Sequence, residues 1–137
     1  MSRKGTVGAR ITARVARTKA SVFIRDDFRD ISDYDQVGRV LRTLTKQGQL
    51  IRLGYGVYVK AKKSPINGEP VPVAPLPVIA KEALQRLGIE TLPSRLENAY
   101  NAGETTQVPT GRLIGVKGRI SRKLGYRGAF VSYERAS

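Results

Sequence analysis

Between Gln36 and Val59 the chain reads QVGRVLRTLTKQGQLIRLGYGVYV, and its hydrophobic period switches at one glycine. Before Gly48, the residues Val37, Val40, Leu41 and Leu44 fall at i, i+3, i+4 and i+7, the spacing of a single buried helical stripe. Ser32 and Asp33 supply capping side chains just ahead of that stripe, so a helix is predicted over about Tyr34 to Gln47. Gly48 suits a helix C-terminal cap. Beyond it the period falls to two: Leu50, Arg52, Val57 and Val59 alternate with Ile51, Leu53 and Tyr58. The break Gly54-Tyr55-Gly56 has the conformational freedom that a tight hairpin demands.

Upstream, Thr6 to Thr18 reads as a first helix. Val7, Ile11 and Val15 lie at i, i+4 and i+8, while Arg10, Arg14 and Arg17 line another face. Ser21-Val22-Phe23-Ile24 is predicted extended. Arg25 to Ile31 suits a two-turn helix with Phe28 and Ile31 inward and Asp26 and Asp27 near its positive end. The order is helix, short strand, helix, helix, hairpin, which is that of a winged helix-turn-helix. The fold class expected is therefore mixed α/β (α+β), with residues 1–63 as a DNA-binding winged helix. Residues 64–77 read as a linker, because five of the seven prolines lie between Ala61 and Pro77. Residues 78–137 then form a small α/β unit: a helix over Val78–Leu87, a short helix after the capping box Ser94-Arg95-Leu96-Glu97, and strands over Arg112–Val116, Arg119–Leu124 and Ala129–Glu134.

Charge narrows the choice of partner. Lys and Arg total 25 against 11 acids, a formal net charge of +14. A hydrophobic fraction of 40% is enough for a core, so the surplus sits on a folded surface and favours a polyanion. The surplus is uneven: residues 1–63 carry a net +10 and residues 64–137 a net +4. Cysteine and histidine are absent, which removes disulfides, Cys/His zinc sites, thiol nucleophiles and the imidazole base of most hydrolytic triads. No apolar stretch has signal-peptide or membrane-spanning length, so a cytoplasmic location without a membrane partner is expected.

The major groove of B-DNA admits one α-helix, whose side chains read base edges. The polar face Tyr34, Asp35, Gln36, Arg39, Arg42, Thr43 and Lys46 is the candidate reading surface. Arg39 suits a guanine edge and Gln36 an adenine edge, while Arg42 and Lys46 suit phosphates. Arg52 and Tyr55 at the hairpin turn, with Lys60, Lys62 and Lys63 beyond it, extend the basic track. Arg10, Arg14 and Arg17 are candidate backbone contacts, against the alternative of a solvated helix face. So are Arg119, Arg122 and Lys123, in a segment from Arg112 to Arg127 holding six basic residues and no acid. Tyr126, Phe130 and Tyr133 nearby suit either a small sheet's core or a single-strand or RNA surface.

Enzymatic readings find little support. Gly54-Tyr55-Gly56 lacks the third glycine and helix of a dinucleotide fingerprint, and no Walker-type GxxxxGK[ST] occurs. Asp26, Asp27, Asp30, Asp33 and Asp35 cluster as a magnesium site would, but helix capping and balance against neighbouring arginines account for them more simply. No catalytic residue, metal or cofactor is expected.

The string VFIRDDFRDISDYDQVGRVLRTLTKQGQLIRLGYGVYV resembles the N-terminal winged helix of antitoxins from abortive-infection, type IV toxin–antitoxin systems. The pattern is Asp27-Phe28 followed by LxxLxxxGxLxRLxxGxY, here Leu41, Leu44, Gly48, Leu50, Arg52, Leu53, Gly56 and Tyr58. KEALQRLG (Lys81–Gly88), ETTQVPTGR (Glu104–Arg112) and SRKLG (Ser121–Gly125) are similar to the second half of short members. The resemblance implies a cytoplasmic prokaryotic protein, often on mobile elements, that binds operator DNA and represses its own operon. It also implies a nucleotidyltransferase toxin as protein partner. A homodimer on inverted repeats is the usual geometry for such a regulator. The competing classes are an RNA-binding or ribosome-associated basic protein, and an antitoxin that acts by protein contact alone.

Overall fold

The computed structural model describes residues 5–136 and divides into two compact units, Met1–Val73 and Ala74–Ser137. Arg3 and Lys4, counted in the charge of the first half, lie outside the described residues. The fold is mixed α/β.

In the first unit, helix α1 spans Val7–Arg17. The Thr6 hydroxyl caps it by accepting from the Ala9 N–H at 3.1 Å. Ile11 and Val15, one turn apart, point into the core. Strand β1 (Val22–Ile24) follows. The two-turn helix expected over Arg25 to Ile31 is instead a single 3₁₀ turn, Arg25–Phe28. Its tightness has a local cause: the Asp27 carboxylate turns back to accept from the Ile24 N–H at 2.9 Å. The turn delivers Phe28 to full burial, its ring centroid 5.9 Å from that of Phe23.

Helix α2 spans Tyr34–Lys46, with the Asp33 carboxylate accepting from the Gln36 N–H at 2.8 Å. Val37, Leu41 and Leu44 are buried with Ile11, Val15, Phe23, Phe28, Leu50 and Tyr58 in one core cluster. Each such aliphatic side chain contributes roughly 1.5–3 kcal/mol by leaving water. Gly48 ends the helix at φ +80°, and the Gly48 and Gln49 N–H groups donate to the Thr45 and Leu44 carbonyls. That pair of hydrogen bonds is a Schellman cap, which an L side chain at position 48 would strain.

Strand β2 (Leu50–Gly54) and strand β3 (Val57–Lys63) form the expected hairpin. The register slips between Arg52 and Gly54, leaving Leu53 in a bulge. Strand β1 pairs antiparallel with the other edge of β3, so the sheet order is β1-β3-β2. The segment 64–77, expected as a linker, is not one throughout. Pro70–Pro72 forms strand β4 on the last residues of β3, with Ala61 opposite Pro72, Lys62 opposite Val71 and Lys63 opposite Pro70. Prolines suit an edge strand, where their missing N–H disrupts no central ladder. Pro70 also lies against the helix cap, its Cγ 3.1 Å from where a Cβ on Gly48 would stand.

In the second unit, helix α3 runs Leu76–Arg86 and buries Leu76, Ile79, Ala80, Ala83 and Leu84. It starts ahead of the expected Val78 because Pro77 occupies the first turn, where a missing N–H is harmless. Strand β5 (Thr91–Leu92) precedes helix α4 (Arg95–Asn101), whose Ser94–Glu97 capping box forms as read. Strands β6 (Leu113–Lys117) and β9 (Ser132–Ala136) pair in parallel, and β5 lies on the other side of β6. The strand expected over Arg119–Leu124 is a loop. That over Ala129–Glu134 divides between β9 and strand β8 (Ala129–Phe130), which pairs with strand β7 (Gly125–Tyr126).

Candidate nucleic-acid interface

At 100° per residue, Asp35, Arg39, Arg42 and Lys46 occupy about 60° of arc on α2, opposite the buried Leu41 and Leu44. All four are exposed, as is Thr43 beside them. Thr43 donates its hydroxyl to the Arg39 carbonyl at 3.1 Å. Gln36 is half-buried and accepts from the Ser32 hydroxyl at 3.0 Å. No carboxylate pairs with Arg39, Arg42 or Lys46 among the described residues.

The reason lies in how the acids of this unit are used. Asp27 and Asp33 bind backbone N–H groups, and Asp30 binds Arg14. Three of the five clustered aspartates are thereby engaged in the 3₁₀ turn, the α2 cap and the Arg14 fork, and the one acid on the outward face of α2, Asp35, forms no ion pair with Arg39, Arg42 or Lys46 among the described residues. Among the described residues, no group of three or more acids is placed to hold a metal ion.

The arginine face of α1 is different in kind. Arg14 grips Asp30 with both terminal nitrogens, at 2.6 and 2.8 Å, and also donates to the Asp27 carbonyl at 2.9 Å. The fork ties α1 to the segment that follows the 3₁₀ turn. It raises the Arg14 pKa and, through the same bond, holds Asp30 down at about 2. Arg10 and Arg17 are exposed beside it. Lys60, expected on the basic track, is likewise committed. Its ammonium donates to the Thr18 carbonyl at the end of α1, where the helix dipole favours a cation.

Tyr34 and Tyr55, taken from the helix and the hairpin turn, come together. The Tyr55 phenol beside it, with desolvation as the second cause, holds the Tyr34 phenol above its usual range. Arg25 completes this cluster and was not singled out in the sequence. Its guanidinium lies 4.1 Å from the Tyr34 ring centroid, and a Cβ on Gly38 would meet its Cζ at 2.7 Å. The available signal was Gly38 itself, a glycine inside a strong helical pattern, which marks close approach by a neighbour. The cluster joins the first turn of α2 to the tip of the β2–β3 hairpin.

Arg52 is exposed and its Nε donates to the Gly54 carbonyl at 3.3 Å. Lys62 and Lys63 are exposed on β3 opposite β4. A groove of about 320 Å³ separates α1 from α2, lined in part by Thr12, Gln36, Arg39 and Gln47. In the second unit Arg119, Arg122 and Lys123 are exposed in the loop between β6 and β7.

These features define a mixed α/β protein whose first unit presents an exposed, net basic helix face beside a tight hairpin. Residues 10–128 match the family described as "family of unknown function (DUF6088)", and the chain belongs to it. Comparison with curated proteins and with solved structures gave no match. No helix among the described residues is long and apolar enough to cross a membrane.

Proposed function

We propose that this protein is a cytoplasmic, sequence-specific duplex-DNA-binding transcriptional regulator whose first unit acts as a winged helix. The observation that carries the reading is the outward face of α2: Arg39, Arg42, Thr43 and Lys46 are exposed together, without carboxylate partners among the described residues, on a helix whose opposite face is locked in the core. A helix with its side chains is about 10–12 Å across, which fits a major groove about 12 Å wide. Arg39, midway along the face, is the base reader. Arg42 and Lys46 hold phosphates and set the register. Arg52, Lys62 and Lys63 extend the contact along the backbone, and the Arg25–Tyr34–Tyr55 cluster fixes the hairpin against the helix. Lys60 and Arg14 are left out of this interface because both already have partners.

The order of elements and the LxxLxxxGxLxRLxxGxY pattern support autorepression by a type IV antitoxin-like regulator, with a nucleotidyltransferase toxin as the protein partner. The test is fluorescence anisotropy with the gene's upstream duplex and a scrambled duplex over a salt series. A preference of about a thousandfold for the upstream site supports an operator-binding regulator. Matched affinities that collapse together with salt, by roughly 0.9 in log K per phosphate contact per log unit, sink the sequence-specific reading.

A further inference from the structure

The β7–β8 ribbon turns through two residues, Arg127 and Gly128, between the paired Tyr126 and Ala129. Both have positive φ, 53° and 81°, the signature of a type I′ turn. Asn, Asp and Gly are the inexpensive occupants of such a position. Arg127 is the one non-glycine residue with positive φ among the described residues. A long cation is thus held at a ribbon tip in a conformation its own backbone disfavours, and strain of this kind gathers at functional sites.

Phe130, on the return strand, is 49% exposed. It pairs with Gly125, where a Cβ would come within 2.6 Å of the phenyl Cδ1. The missing side chain lets the ring settle on the ribbon's own backbone, fixed in place while half of it stays in solvent. The Lys123 ammonium stands 6.0 Å from the ring centroid. Arg119 and Arg122 are exposed in the same loop, and no Asp or Glu occurs between Glu104 and Glu134. A fixed aromatic ring amid cations suits a base face beside phosphates. An intact duplex offers chiefly base edges, because its base faces are covered by their neighbours. A single strand offers both bare faces and phosphates.

We propose that the β7–β8 ribbon and the loop 118–124 form a binding site for single-stranded nucleic acid. Phe130 stacks on a base, and Arg127 and Lys123 hold the adjacent phosphates. The site lies wholly within the second unit and stands independently of duplex reading by α2.

Anisotropy of the full-length protein with labelled oligo-dT and oligo-rU of about 15 nucleotides tests it. Phe130→Ala is expected to weaken binding about tenfold. Arg127→Gly is expected to weaken it and to lower the salt slope by about 0.7, while the melting temperature holds or rises because glycine relieves the positive φ. Tighter binding of one oligonucleotide identifies the strand as DNA or RNA. Arg39→Ala, in the other unit, leaves single-strand binding in place even if duplex specificity is lost. The proposal is overturned if the wild type binds neither oligonucleotide, or if Arg127→Gly keeps wild-type affinity and slope.

Discussion

α1 and α2 are both amphipathic and both carry arginines at helical spacing, yet they hold their charge on different terms. On α1, Arg14 is spent inside the unit, gripping Asp30 and the Asp27 carbonyl. On α2, Arg39, Arg42 and Lys46 face solvent with no such partner among the described residues. The lesson is that formal charge counted along a helix does not measure charge available to a polyanion. What matters is which acids are engaged elsewhere: here Asp27, Asp30 and Asp33 serve the turn, the Arg14 fork and the helix cap, and a single acid, Asp35, stays on the outward face of α2 beside three cations.

The sharpest way to break this contrast is Arg39→Ala. Loss of a bidentate base contact should cost the preferred duplex about 1–3 kcal/mol and relax the preference at one position, seen by anisotropy against single-base variants of the site. Lys46→Ala should weaken every duplex alike and reduce the salt slope by about 0.9. If these two variants behave identically on preferred and random DNA, the division into base reader and phosphate clamp is wrong. Arg14→Ala should lower the melting temperature yet leave duplex affinity unchanged at temperatures where the protein is folded. An affinity loss as large as that of Lys46→Ala would erase the distinction between the two helices.

The smallest expected effect is a pH dependence at the same fork. Asp30 is held at about 2 in the folded chain against an ordinary 3.8, so the folded state releases this proton more readily than the unfolded one. Its contribution to stability is therefore complete above about 4 and is lost as pH falls toward 2. Thermal melts of wild type and Asp30→Asn should differ at neutral pH and converge across that interval. A constant difference would mean that Asp30 acts through packing rather than charge.

The parts of the molecule legible in the sequence were those governed by near neighbours. The Val37, Leu41 and Leu44 stripe, the Gly48 cap and the β2–β3 hairpin all follow from spacing within about one turn or one strand. Strand β4 was hidden because Pro70 and Pro72 argue against a strand unless a partner with a free edge exists, and only the fold supplies β3. The β6–β9 pairing was hidden for a similar reason: a parallel partner lies far along the chain and leaves no local period. In the candidate interface, the exposed face of α2 was readable from periodicity alone. Which cations were already engaged was not, since Arg14 and Lys60 find their partners 16 and 42 residues away.

Strand β3 has a consequence for how the first unit comes apart. It pairs with β1, β2 and β4, and its Lys60 N–H donates to the Ser21 carbonyl while its Ala61 N–H donates to the Gln49 carbonyl. Those amides sit in the one strand with which every other strand of the unit pairs. Their exchange with deuterated solvent should thus follow the global opening of the unit, whereas the amides at the β2–β3 turn exchange by local fraying. The slowest protons of β3 are a residue-level gauge of the stability that keeps α2 in place.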